Sequence, residues 1–184
     1  IVLFLGLGPY GKGLELLAPA LARMRTNAVL VVAGPDADGY SEQINALAGT
    51  ARDRILYVGM LSGAEKLAAM VDAAVLALPS YHENFGLAVI EALACGTPVV
   101  VSDQVNLYPQ IRAAGVGGVV PLDVEKLAAE LDRWLGDNDL RKRAGEKGMA
   151  MVRASYSWDA IAAHWVEHYG RLMHSSKPAG GGAE

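Results

Sequence analysis

The 184-residue chain is 52% hydrophobic and 20% charged, with 16 basic and 20 acidic residues and a net charge of −4. That balance excludes a disordered chain and lacks the basic excess of a nucleic-acid binder. Its one cysteine, Cys95, permits neither an internal disulfide nor a cysteine metal cluster, which fits a reducing, cytoplasmic setting. The length suits one domain of roughly 100–200 residues, and no apolar run approaches the ~20 residues of a membrane span.

Residues 1–5 (IVLFL) are a short continuous apolar run closed by Gly6, the pattern of a fully buried strand. A glycine-rich turn over 6–13 leads to a helical pattern over 14–25, in which Pro19 sets a kink or marks a first turn. A second strand spans 28–33 (AVLVVA), ended by Gly34-Pro35-Asp36, and a short helix spans 41–48. After a third strand at 54–58, Ser62 and Glu65 have capping-box spacing and open a helix that reaches Val71. The fourth strand, 74–78 (AVLAL), stops at Pro79, and a helix over 85–94 ends at Gly96. A fifth strand at 98–101, a helix at 107–114 and a short sixth strand at 118–120 complete the alternation. Helical stretches follow at 124–135, 139–154 and 158–173, the last with Ser157 as N-cap and Tyr156 and Ile161 spaced as a hydrophobic staple. Residues 175–184 read as a disordered tail outside a domain of 1–174.

Six short apolar strands alternating with helices predict an α/β fold, a Rossmann-like doubly wound parallel sheet with extra helices at the C-terminus. The commonest order for such a sheet is 3-2-1-4-5-6, which sets strands 1 and 4 side by side. Ligands bind beyond the carboxyl ends of those two strands, where two loops open: 6–13 and 79–84.

In the first loop, LGLGPYGKG, glycines let backbone N–H groups approach a phosphate, the next helix favours an anion, and Lys12 adds a charge. A plain strand–helix turn with a solvated lysine fits the same residues. Gly6-x-Gly8-x-x-Gly11 also matches the dinucleotide fingerprint in letter, which would make the chain an NAD-dependent oxidoreductase. That reading wants an acid at the end of strand 2, where the first one is Asp36, and Pro9 is out of place in such a turn.

The second loop places Glu83 at a helix mouth and Glu91 eight positions on. A rise of 1.5 Å per residue separates them by up to roughly 12 Å, enough for two hydroxyl-bearing ends of one long ligand. The N–H groups of Asn84, Phe85, Gly86 and Leu87 lie between, at a helix start that favours a phosphate. A sugar, a diphosphate and a ribose follow that order. Ser80-x-x-Glu83 is equally a capping box, and Glu91, among Val89, Ile90, Ala92 and Leu93, needs a partner in either case.

Glu83 and Glu91 with Phe-Gly-Leu after the first, then Glu-Ala-Leu-Ala-Cys-Gly-Thr-Pro-Val-Val, resemble the carboxyl-terminal half of retaining GT-B glycosyltransferases of family 4 (glycosyl transferases group 1). Gly6, Lys12 and Gly13 are similar to that family's Gly-Arg-x-x-x-x-Lys-Gly segment, and Ala33-Gly34-Pro35-Asp36, Val58-Gly59 and Tyr156-Ser-Trp158 also fit, over roughly residues 1–173. The resemblance implies the donor-binding half of a hexosyltransferase whose amino-terminal acceptor domain is not in this chain. It implies a UDP- or GDP-linked sugar as donor, no required metal or other cofactor, and little activity from this half alone. By the same resemblance Glu83 and Lys12 are catalytic, positioning the sugar and meeting the leaving diphosphate. Glu91 holds ribose hydroxyls; Asn84, Phe85, Gly86, Leu87, Gly6 and Leu7 contact donor; Gly59, Met60 and Leu61 cradle the base.

Two departures stand out. Leu7 replaces the family's loop arginine and Gln110 a common acid. Losing a charge-assisted hydrogen bond of ~1.5–3 kcal/mol weakens donor handling roughly tenfold or more. Either another basic residue substitutes or the chain is a catalytically weak, binding-only relative. His164 and His168 have zinc-like spacing but no third ligand, and metal binding is not expected. The basic cluster at 141–147 reads as a solvated helix face, with peripheral contact at the inner face of a membrane as the alternative, since some relatives act on lipid-linked acceptors.

Overall fold

A computed structural model describes residues 1–6, 11–36 and 39–175. Leu7, Gly8 and Pro9 of the first loop and the tail at 176–184 lie outside them. The strands are β1 (Val2–Leu5), β2 (Leu30–Ala33), β3 (Ile55–Tyr57), β4 (Val75–Leu78), β5 (Val99–Ser102) and β6 (Gly117–Val120). The helices are α1 (Leu14–Arg23), α2 (Tyr40–Ala48), α3 (Gly63–Asp72), α4 (Leu87–Ala94), α5 (Tyr108–Ala114), α6 (Val124–Gly136), α7 (Asn138–Ser155) and α8 (Trp158–Ser175). A 3-10 turn at Gly49–Arg54, unmarked in the sequence, leads into β3.

The sheet is parallel, in the order β3-β2-β1-β4-β5-β6. Val2 of β1 faces Leu30 of β2 on one side and Val75 of β4 on the other. β4 and β5 are buried throughout, which is why their sequences run apolar without alternation. α1 packs against α2 and α6 on one face; α4 packs against α3 and α7 on the other. Trp134, Leu131 and Leu127 of α6 and Leu17 and Leu21 of α1 are fully buried, each contributing about 1.5–3 kcal/mol of transfer free energy.

α1 continues through Pro19 rather than starting there. Ser62 does stand at the N-cap of α3, but its side chain makes no cap bond, so the capping box is not formed. Ser157 does cap α8, its Oγ accepting from the Ala160 N–H at 3.2 Å.

Candidate functional site

The carboxyl ends of β1 and β4 meet where sheet order reverses. Gly13 caps α1 at φ 81, and a Cβ there would lie 2.0 Å from the Pro79 carbonyl oxygen, so the first loop closes tightly onto the end of β4. The Tyr81 N–H donates to the Gly11 carbonyl at 2.9 Å. Glu83 is anchored from the far side: its N–H donates to the Gln104 carbonyl at 3.2 Å, and its carbonyl accepts from Asn106 at 2.9 Å. Gly86 then takes φ 75 and α4 begins at Leu87, two residues later than the sequence reading. A left-handed residue cannot be continued in a right-handed helix, so Asn84 and Phe85 belong to the loop. The exposed Phe85 ring stands edge-on to Tyr156 at 5.9 Å, which brings the α7–α8 junction to the site.

A cleft of about 550 Å³ lies there. Gly6 and Lys12 line it from the first loop, Met60 and Leu61 from the loop after β3, and Glu83, Asn84, Phe85, Gly86, Leu87 and Glu91 from the fourth loop and α4. Gly59 lines a smaller adjoining hollow, where its carbonyl accepts from the Gly34 N–H at 2.8 Å. Gln110 is exposed on α5, outside both linings.

Each carboxylate of the cleft has a lysine. Lys12 Nζ donates to Glu83 Oε2, and Glu83 Oε1 accepts from the Gly86 N–H at 3.2 Å. Lys66 Nζ of α3 donates to Glu91 Oε1 at 2.6 Å. Sequence reasoning missed Lys66, although Glu91 in an apolar helix signalled that a partner was required. The Ser80–Glu83 capping box does not form. Ser80 is buried at the end of β4, its Oγ without a partner among the described residues, and Glu83 alone holds the Gly86 amide.

Asp36 is engaged elsewhere: its carboxylate accepts from the Ser41 N–H at 3.0 Å and the Ser41 hydroxyl at 2.6 Å, which holds its pKa below the usual value. It is therefore occupied at the start of α2 and does not replace the acid that a dinucleotide site needs. Burial first, and then Glu91, push the Cys95 thiol up, against the opposing charge of Lys66, so it stays protonated at neutral pH. His168 packs edge-on to Trp165, and among the described residues no three His, Cys, Asp or Glu side chains converge as metal ligands. The cleft thus offers acceptors for hydroxyls at two ends and two ammonium groups for anionic charge.

The sequence profile of the glycosyl transferases group 1 matches residues 1–151. The chain belongs to that family. This group 1 domain is 35% identical over 173 residues to an uncharacterized glycosyltransferase of Methanocaldococcus jannaschii, covering 92% of this chain and 44% of the relative. It is 34% identical over 174 residues to the phosphatidyl-myo-inositol mannosyltransferase of Mycobacterium leprae, covering 91% and 46%. Among solved structures, the sucrose-phosphate synthase of Thermosynechococcus elongatus superposes with a TM-score of 0.75 at 31% identity, over 95% of this chain and 46% of that one. The group 1 domain therefore spans less than half the length of these relatives, and its six-stranded sheet is the Rossmann-like sheet of the GT-B fold.

Proposed function

We propose that this group 1 domain is the nucleotide-sugar donor-binding half, residues 1–174, of a retaining family 4 glycosyltransferase that moves a hexose from a UDP- or GDP-linked donor to an acceptor held by an amino-terminal domain. The observation that carries the reading is the cleft at the β1/β4 switch with a lysine-held carboxylate at each end. Membership of the family and the sugar-transferring names of the relatives support it.

In this reading Glu91 accepts from the ribose hydroxyls and Met60 and Leu61 flank the base. The diphosphate lies over the start of α4, at the positive end of its dipole, and the Gly86 N–H is released to it when Glu83 moves. Lys12 exchanges Glu83 for the diphosphate, and the freed Glu83 accepts from sugar hydroxyls. The bond from the sugar anomeric carbon to the diphosphate breaks. The acceptor oxygen attacks the same face, and its proton passes to the departing phosphate oxygen. Lys12 stabilises the charge that builds there, and positioning supplies most of the rate without a metal. Of the basic cluster, Arg141 caps α6 by donating to the Leu135 carbonyl at 2.7 Å, and Lys142, Arg143 and Lys147 stay exposed on α7, a solvated face with a membrane surface as its alternative contact. Among the described residues no helix is long and apolar enough to cross a membrane.

Calorimetric titration with UDP, GDP, ADP and NAD tests the reading. One nucleoside diphosphate binds and NAD does not; Glu91→Ala and Lys12→Ala each weaken it about tenfold or more; Leu7→Arg tightens it. If no nucleoside diphosphate binds, or both alanine variants bind like the parent, the reading is wrong.

A further inference from the structure

We propose that Lys66 is a positioning residue for the ribose end of the cleft, acting through Glu91 to make it a reader of the ribose diol. The inference rests on the donor-binding reading above. It begins from a problem that α4 poses. Glu91 leaves a helix whose neighbours Val89, Ile90, Ala92 and Leu93 are buried. Its side chain lines the open cleft, and a carboxylate left alone there can swing out into solvent, which would spoil it as an acceptor for two hydroxyls.

Lys66 opposes that swing. Its ammonium lies 2.6 Å from Oε1, with 31% of the Lys66 side chain and 38% of the Glu91 side chain exposed. The pair is thus too buried to be fully screened and open enough to meet a ligand. Oε2 has no partner among the described residues and remains for a hydroxyl. The two helices that carry the pair are tied beneath it. The Thr97 hydroxyl, buried, donates to the carbonyl of Met70, one turn after Lys66, and Thr97 follows the C-terminus of α4. That bond fixes α3 against α4, so the ammonium and the carboxylate keep their register. The Cys95 thiol, pushed up first by burial and then by Glu91 and drawn down by Lys66, offers a probe of the pair that needs no nucleotide.

The test is titration of the 184-residue chain, its Lys66→Met, Lys66→Arg and Glu91→Gln variants, and the double variant, with UDP, GDP and their 2′,3′-dideoxy analogues. Lys66→Met is expected to weaken the ribonucleotide about tenfold while changing the dideoxy analogue less than about twofold. Lys66→Arg restores most of the loss, and the double variant is no worse than Glu91→Gln alone. In the free protein, the pH midpoint for alkylation of Cys95 rises in Lys66→Met and falls in Glu91→Gln. Unchanged or tighter ribonucleotide binding by Lys66→Met overturns the proposal, as does an equal loss for both analogues, which would place Lys66 on the phosphates. A parent that binds no nucleoside diphosphate overturns the donor-binding reading and this role with it. Binding by the parent with no response at residue 66 overturns this role alone.

Discussion

Asp132 of α6 accepts from the N–H groups of Arg25 and Thr26 at 2.8 and 2.9 Å and from the Thr26 hydroxyl at 2.7 Å. Burial alone would push its carboxyl up, but these donors and the Arg25 charge outweigh burial, and its pKa lies below the usual value. A carboxyl whose pKa falls on folding adds stability above its unfolded value of about 3.9, and that stability is lost as pH drops through the folded value. Asp132→Asn should therefore lower unfolding stability in urea by about 1–2 kcal/mol at pH 7, with the difference from the parent closing as pH falls through that lowered value. On the proposed function, the Lys12–Glu83 pair bears on binding more than on stability, because a diphosphate that takes Lys12 has to part it from Glu83.

The same economy of partners governs whole elements. In the connection from α1 to β2 the Arg25 and Thr26 N–H groups are taken by Asp132, and the Arg54 guanidinium donates to the carbonyls of Thr26 at 3.3 Å and Ala28 at 3.4 Å and, within α1, of Leu21 at 2.6 Å. α7 approaches the turn after α4 so closely that a Cβ on Gly145 would lie 2.1 Å from the Gly96 carbonyl oxygen. Alanine gains about 1 kcal/mol of helix propensity over glycine, but overlap with a backbone atom forces a shift that costs more. Gly145→Ala should lower the melting temperature by several degrees, whereas Gly136→Ala, with open space around it, leaves it unchanged or raises it. Sequence spacing marked the central strands well because the apolar runs of β1, β4 and β5 are buried almost throughout, whereas at the sheet edge Leu56 and Tyr57 of β3 stay exposed. It failed where the determinant is a contact between distant segments. Lys66 lies 25 positions before Glu91 on another crossover. Arg54 read only as the start of a strand. The serines at 62 and 80 have capping-box spacing, yet one makes no cap bond and the other is buried just past the end of β4. The start of α4 was displaced by the backbone of Gly86, which no side-chain periodicity records.

At the scale of the molecule, sheet order and switch point followed from the alternation of elements alone, and they placed both loops at one cleft before any motif was needed. What lies beyond the sheet is α8, with Trp158, Trp165, Val166, Tyr169 and Met173 at least half exposed. The contrast with Trp134 is complete: that ring is buried, its Nε1–H donates to Glu130 at 2.8 Å, and the Arg133 guanidinium lies 5.5 Å from its centroid. Two of the three tryptophans are therefore solvated, and the intrinsic emission of the folded chain is expected to come mainly from α8, red-shifted and open to acrylamide. Replacing Trp158 and Trp165 by phenylalanine should leave a blue, poorly quenched emission from Trp134 that shifts red only when the sheet itself unfolds. In the parent, an emission change without loss of helical circular dichroism is thus a signal from α8, and reading it as melting of the core would be an error.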